Sequence, residues 1–117
     1  MNSLDLKART KMFALRILKL TAALPDGQEA RVIRNQLARS GTSVGANYRA
    51  SCRARSQAEF ISKIGTVIEE ADESCFWMEL IIEGEFLPAQ KVEPLLQEAN
   101  EITAIMTASR KTSEENK

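Results

Sequence analysis

The sequence contains no histidine, and that absence removes several chemistries at once. Without imidazole there is no histidine-based catalytic triad, no histidine ligand for zinc or a di-iron centre, and no side chain that titrates near neutrality unaided. Cysteine is almost as scarce. Cys52 and Cys75 do not form a C-x-x-C pair, and with no secretory segment beside them they read as buried reduced thiols rather than a disulfide. Long apolar runs are missing too. The longest, residues 76–82, is interrupted by Glu79 and is too short to cross a bilayer. Asp5, Lys7, Arg9, Lys11, Arg16 and Lys19 break up the N-terminal apolar residues, so no signal-peptide core forms. The expectation is a soluble cytoplasmic protein with no membrane partner.

Three prolines and five glycines in 117 residues, against abundant Ala, Leu, Ile, Glu, Lys and Arg, point to an all-α chain with a single core. Sixteen basic and sixteen acidic residues cancel overall, but not locally. Residues 1–63 hold twelve Lys/Arg and four Asp/Glu, whereas residues 64–117 hold four and twelve. Such a split serves either an anion-binding half or two halves that neutralise each other in the fold. Adjacent antiparallel helices make the second reading the cheaper one.

Four helical segments follow from periodicity and breakers. The first spans about residues 4–24. Leu6, Phe13, Ile17, Leu20 and Leu24 make one stripe, and Leu4, Ala8, Met12, Leu15, Leu18 and Ala22 make a second apolar band on another side. One apolar face suffices for a monomeric bundle, so the second band points to a subunit partner. Pro25, Asp26 and Gly27 end this segment. A long second helix runs from about Glu29 to Arg55, straight through the small and hydroxyl residues of 40–51. Ile33, Leu37, Val44 and Tyr48 keep one helical phase across that stretch, which a loop would have reset. The glycine spacing there matches neither a P-loop nor a dinucleotide fingerprint. Gly41, Gly45 and Ala46 read instead as thin places where a neighbouring backbone comes close, and Ser40, Thr42, Ser43 and Asn47 as donors to carbonyls or to polar groups across that contact.

Ser56 and Glu59 form a capping box that opens a third helix to about Glu85, with Phe60, Ile64, Val67, Ala71, Cys75, Met78 and Ile82 as its core stripe. Pro88 suits the first turn of a fourth helix, and a second proline, Pro94, delays the regular helix to about Val92. Leu95, Leu96, Ala99, Ile102, Ile105 and Met106 supply its apolar face. Residues 110–117 carry no apolar side chain, so the expected layout is one domain over 1–109 and a flexible tail over 110–117. Four helices with short connections make an up-and-down antiparallel four-helix bundle.

The acidic run Glu69, Glu70, Asp72, Glu73 would suit a magnesium site of an all-α nucleotide hydrolase only if it faced the core. Its helical phase turns it outward, so it reads as a solvated or salt-bridged face; no metal, cofactor or catalytic residue is assigned. Trp77 and Ile81, off the core stripe, join Leu15 and Leu18 as a candidate oligomer interface. Arg31, Arg34, Arg39, Arg49, Arg53 and Arg55 make the second helix basic, and Lys63 lies nearby. Arginine suits phosphate as well as carboxylate, so these seven residues are the candidate nucleic-acid contacts, with pairing to the acidic helices as the structural alternative.

Two stretches carry a family resemblance. Ser40-Gly41-Thr42-Ser43-Val44-Gly45-Ala46-Asn47-Tyr48-Arg49-Ala50-Ser51 is one; Glu59-Phe60-Ile61-Ser62-Lys63-Ile64, with Glu70-Ala71-Asp72-Glu73 and Trp77-Met78-Glu79-Leu80, is the other. Over about residues 10–107 the chain resembles the four-helix bundle proteins encoded in intervening sequences of bacterial 23S rRNA genes. More distantly it is similar to the accessory variability determinant of diversity-generating retroelements. The resemblance implies a homopentameric barrel of bundles and no catalytic residues. It also implies a role with ribosomal RNA or, as in the strongly basic retroelement relatives, with a reverse transcriptase and nucleic acid. The resulting expectation is a non-enzymatic homo-oligomer that binds RNA or a nucleic-acid-bound protein. The alternative is a protein-interaction scaffold that binds no nucleic acid.

Overall fold

The computed structural model describes residues 1–116 as four α-helices and the turns between them. Helix α1 spans Ser3–Ala22, α2 Gln28–Ser51, α3 Gln57–Glu83 and α4 Ala89–Glu115. They form a rod of 48 × 21 × 20 Å. Packing is most extensive between α2 and α3, α3 and α4, and α1 and α2, while α4 meets α1 over a shorter stretch. The helices are thus arranged around the core in chain order.

Apolar periodicity explains which face each helix buries. Phe13 and Ile17 of α1, Leu37 and Val44 of α2, Ile64, Val67 and Met78 of α3, and Val92, Ile102 and Met106 of α4 have no accessible surface. Each large side chain so buried contributes about 1.5–3 kcal/mol. Thr10, Thr21 and Ser51 are buried among them, with each hydroxyl donating to a carbonyl of its own helix (Leu6, Leu18 and Tyr48). Cys52 and Cys75 are free thiols; Cys75 is buried and Cys52 half-buried.

Helix α2 does run unbroken through residues 40–51, with Ile33, Leu37, Val44 and Tyr48 all buried. It stops at Ser51 rather than Arg55, because after the last i−4 bond, from the Cys52 amide to Tyr48, the Arg53 and Ala54 amides tighten onto the Ala50 and Ser51 carbonyls three residues back. The capping box opening α3 is half formed. The Glu59 amide donates to Ser56 Oγ at 3.0 Å, but the Glu59 carboxylate accepts from the Arg55 amide instead of that of Ser56. A complete box opens α1, where Asn2 Oδ1 accepts from the Asp5 amide and the Asp5 carboxylate accepts from that of Asn2. Helix α4 starts at Ala89, with Pro88 as its N-cap and Pro94 inside it. Pro94 and Gln90 are both exposed, so the carbonyl that Pro94 leaves without a donor lies on the wet side. The sequence places a tail from Arg110, whereas α4 keeps helical geometry to Glu115 and the Gln57 side-chain amide donates to the Ser113 carbonyl.

Candidate nucleic-acid interface

Gly45 sets how closely α1 and α2 approach. A β-carbon on it would lie 3.2 Å from the Thr10 carbonyl oxygen and 3.6 Å from the Lys11 amide nitrogen. At this pinch the two helices form a cleft of about 530 Å³ with a floor of Ala8, Ala14, Gly45 and Ala46. Lys7 and Lys11 stand on the α1 side, and Arg49 and Arg53 on the α2 side. None of these four cations is in an ion pair among the described residues. Local sequence explains why. Residues 6–25 and 30–58 contain no Asp or Glu, so neither wall offers a carboxylate.

The remaining sequence-assigned arginines separate by environment. Arg39 donates to Glu70 at 2.9 Å and to Glu73 at 2.5 Å across the α2–α3 seam. The hydrogen bond from Arg39 to Glu73 and the charge of Glu70 raise its pKa further. Arg34 is half-buried and donates to the Thr21, Leu24 and Pro25 carbonyls, where a cation complements the negative end of α1. These two guanidiniums are therefore engaged within the chain, which sets them apart from the other arginines assigned as nucleic-acid contacts. Arg31, Arg49, Arg53 and Arg55 are exposed, Lys63 is half-buried, and all five lie outside the ion pairs of the described residues. The cleft brings Arg49 and Arg53 together and leaves Arg31, Arg55 and Lys63 outside.

Lys7 and Lys11 are the residues that sequence reasoning missed. Their four-residue spacing on a carboxylate-free stretch was the available signal, but which helix would face α2 there depends on the pinch at Gly45. Neutralisation between the charged halves is also narrower than the composition invites. Besides Arg39, it is carried by Arg9, which grips Glu98 with two bonds of 2.7 Å and Glu101 with one of 3.0 Å. Those carboxylates, Glu98 foremost, raise the pKa of the Arg9 guanidinium.

The candidate oligomer-interface residues also divide. Leu15 and Leu18 are 49% and 45% exposed, in a band with Leu4 and Met12. Trp77 is half-buried, its indole N–H donating to Glu73 at 3.2 Å, and the exposed aromatic is its neighbour Phe76, edge-to-face at 5.1 Å. Ile81 has no accessible surface, so it belongs to the core and not to an interface. The α3 stripe closes with a three-residue step from Met78 to Ile81, where the apolar spacing predicts a four-residue step to Ile82. Elsewhere in the core, burial pushes the Cys75 thiol up to about 11, helped by Asp72 and Glu79, and raises the Tyr48 hydroxyl as well. No helix among the described residues is long and apolar enough to cross a membrane.

Comparison with known proteins places this geometry. No curated protein matches the sequence. Among solved structures, the chain is similar to a protein of unknown function from the S23 ribosomal protein family of Bacteroides thetaiotaomicron VPI-5482. The two share 35% identity over 90% of this chain and 97% of that one, with a TM-score of 0.84. The 23S rRNA-intervening sequence protein family matches residues 2–108, nearly the whole of the four-helix unit. The chain therefore belongs to the 23S rRNA-intervening sequence protein family.

Proposed function

We propose that the protein is a non-enzymatic, cytoplasmic homo-oligomer of up-and-down antiparallel bundles that binds RNA or a ribonucleoprotein through the basic surface of α2. The observation that carries this reading is the set of exposed arginines on and just after α2 (Arg31, Arg49, Arg53 and Arg55) that no carboxylate of the chain engages among the described residues. Unpaired, hydrated guanidiniums are available to phosphate, and releasing the counterions of phosphate is the main driving force for sequence-independent binding. The rRNA named in the family description supplies the ligand class. In agreement with the up-and-down topology, turns of a few residues join helices that neighbour one another in chain order.

The test is a salt titration of binding to a fragment of 23S rRNA. Affinity should fall steeply as salt rises, and Arg49→Glu or Arg53→Glu should weaken binding alike for unrelated RNA sequences. Absence of binding even at low salt would overturn the reading. A protein-scaffold role is favoured by a different observation, the exposed apolar residues Leu4, Met12, Leu15, Leu18 and Phe76. Recovery of one protein partner after nuclease treatment would support it.

A further inference from the structure

We infer that the α1–α2 cleft is the nucleic-acid site, that Lys7 and Lys11 complete it together with Arg49 and Arg53, and that its ligand is a single sugar-phosphate strand read by charge and not by base. This rests on the RNA-binding reading and narrows it from a helix face to one groove.

Three features of the cleft argue for a strand. Its cations stand on opposite walls, Lys7 and Lys11 on one and Arg49 and Arg53 on the other, so a chain of phosphates lying between them is met from both sides. On the α1 wall the two cations are four residues apart, about 6 Å along the axis, and on the other Arg49 lies in the last turn of α2 and Arg53 just past its end, a spread that suits successive phosphates of an extended strand better than one isolated anion. Apart from the cations the lining is Ala8, Ala14, Thr42, Gly45 and Ala46, small residues that let a sugar-phosphate chain sink between the helices. No aromatic ring lines the cleft, so it offers no platform on which bases could stack and leaves the charged backbone as the part of a strand it can hold. Binding through phosphate alone is the outcome that this lining permits. Carboxylates are absent from both walls over residues 6–25 and 30–58, so nothing in the cleft repels a polyanion or competes for its four cations.

Fluorescence anisotropy with a fluorescein-labelled uridylate dodecamer tests this on the intact protein at low salt. The Lys7→Gln, Lys11→Gln double variant should bind about tenfold more weakly, and the slope of log affinity against log salt should become shallower by about 0.7 for each phosphate that is no longer neutralised. Arg31→Gln, about 27 Å from Arg49 along α2 at about 1.5 Å per residue, should change affinity by less than about twofold. Lys7 and Lys11 are exposed and unpaired, and unchanged circular dichroism and melting will show that the double variant folds. If the double variant binds as wild type while Arg31→Gln loses affinity, the cleft is overturned and RNA binding by α2 stands. If wild type binds neither the dodecamer nor the rRNA fragment, both readings fall. Tight binding of poly-glutamate without the dodecamer would overturn the cleft as a nucleic-acid site and assign it to an acidic protein. A dodecamer of adenylate bound more than about tenfold differently from uridylate would overturn readout by charge alone.

Discussion

Gly41 and Gly45 lie one turn apart on α2 and are required for different reasons. A β-carbon on Gly41 would lie 2.6 Å from both Cγ atoms of Ile17 and 2.9 Å from its Cβ, a β-branched side chain with no accessible surface and little rotamer freedom. On Gly45 the nearest atoms are backbone, but at 3.2–3.3 Å the approach is only tight. Gly41→Ala should therefore lose about 1–3 kcal/mol to overpacking, although alanine is the better helix former by about 1 kcal/mol. Gly45→Ala should lose less, because its overlap is smaller and the same helix gain offsets it. Urea melts that placed Gly41→Ala at or above wild-type stability would contradict the packing of Ile17 against α2. Next to Gly41, Ser40 and Ser74 meet at 2.9 Å with no accessible surface. Ser74 spends its proton on the Glu70 carbonyl at 2.9 Å, which leaves Ser40 as the donor to Ser74. The small and hydroxyl character of this stretch was readable as a close contact within a helix. That Ser40 reaches α3 while Gly41 meets α1 was not, because sequence spacing gives the angle between two side chains but not the helix each one faces.

Among the helices, the seam between α1 and α4 is the one with the smallest packed surface and the strongest polar clamp. Arg9 and Glu98 have side chains only 22% and 15% exposed, and the guanidinium fork meets the carboxylate with both nitrogens. Partly desolvated bidentate pairs of this kind exceed the roughly 0–1 kcal/mol of an ordinary surface pair. Arg9→Met retains the apolar stem and removes the fork, leaving Glu98 half-buried without its partner. The expected loss is about 1–3 kcal/mol, with faster amide exchange in the facing turns of α1 and α4 and unchanged exchange in α2. Uniform loss of protection through the bundle would refute a local clamp. Element existence was legible from periodicity and breakers, and boundaries less so. Ser56 announced α3, yet Glu59 turned to Arg55 for its second bond. At the end of α3 a three-residue step to Ile81 and a four-residue step to Ile82 fit the stripe equally well, and only packing decides. The partners of Arg9 were invisible, because sixteen cations and sixteen anions admit many pairings and the contact joins residues 89 apart in sequence.

At the scale of the whole molecule, the chain keeps its two unsatisfied surfaces side by side on α1, with Lys11 in the same helical phase as Leu15 and Leu18. One is the cationic cleft that Lys7 and Lys11 share with α2, and the other is the apolar band of Leu4, Met12, Leu15 and Leu18. The two differ in what they demand of solvent. Unpaired lysines are content in water until a polyanion arrives, whereas leucines half exposed in a row gain free energy as soon as another apolar surface covers them, about 1.5–3 kcal/mol for each side chain fully buried. A partner copy is the simplest cover, since Phe76 and the acidic residues of α3 provide an apolar and oppositely charged surface on the same chain, distinct from α1. A contact between unlike faces is heterologous and closes into a ring when its rotation allows, which is the arrangement that the homopentamer implied by the family resemblance would need. Light scattering at micromolar concentration should thus give a mass several times 13.0 kDa, and Leu15→Glu with Leu18→Glu should return it to the monomer value without loss of helicity. Both positions are exposed in the single chain, so the substitution strands no charge in the core. A wild-type protein that scatters as a monomer would leave the apolar band to a different protein and would favour the scaffold reading over self-assembly. If the ring forms, each subunit brings its own cleft, and several weak phosphate grooves on one particle would hold a long RNA far more tightly than one groove alone. A monomer made instead with Leu15→Gln and Leu18→Gln, which adds no carboxylate beside Lys11, should then retain its affinity for the short dodecamer while losing most of its affinity for the rRNA fragment, a separation that neither surface could produce without the other.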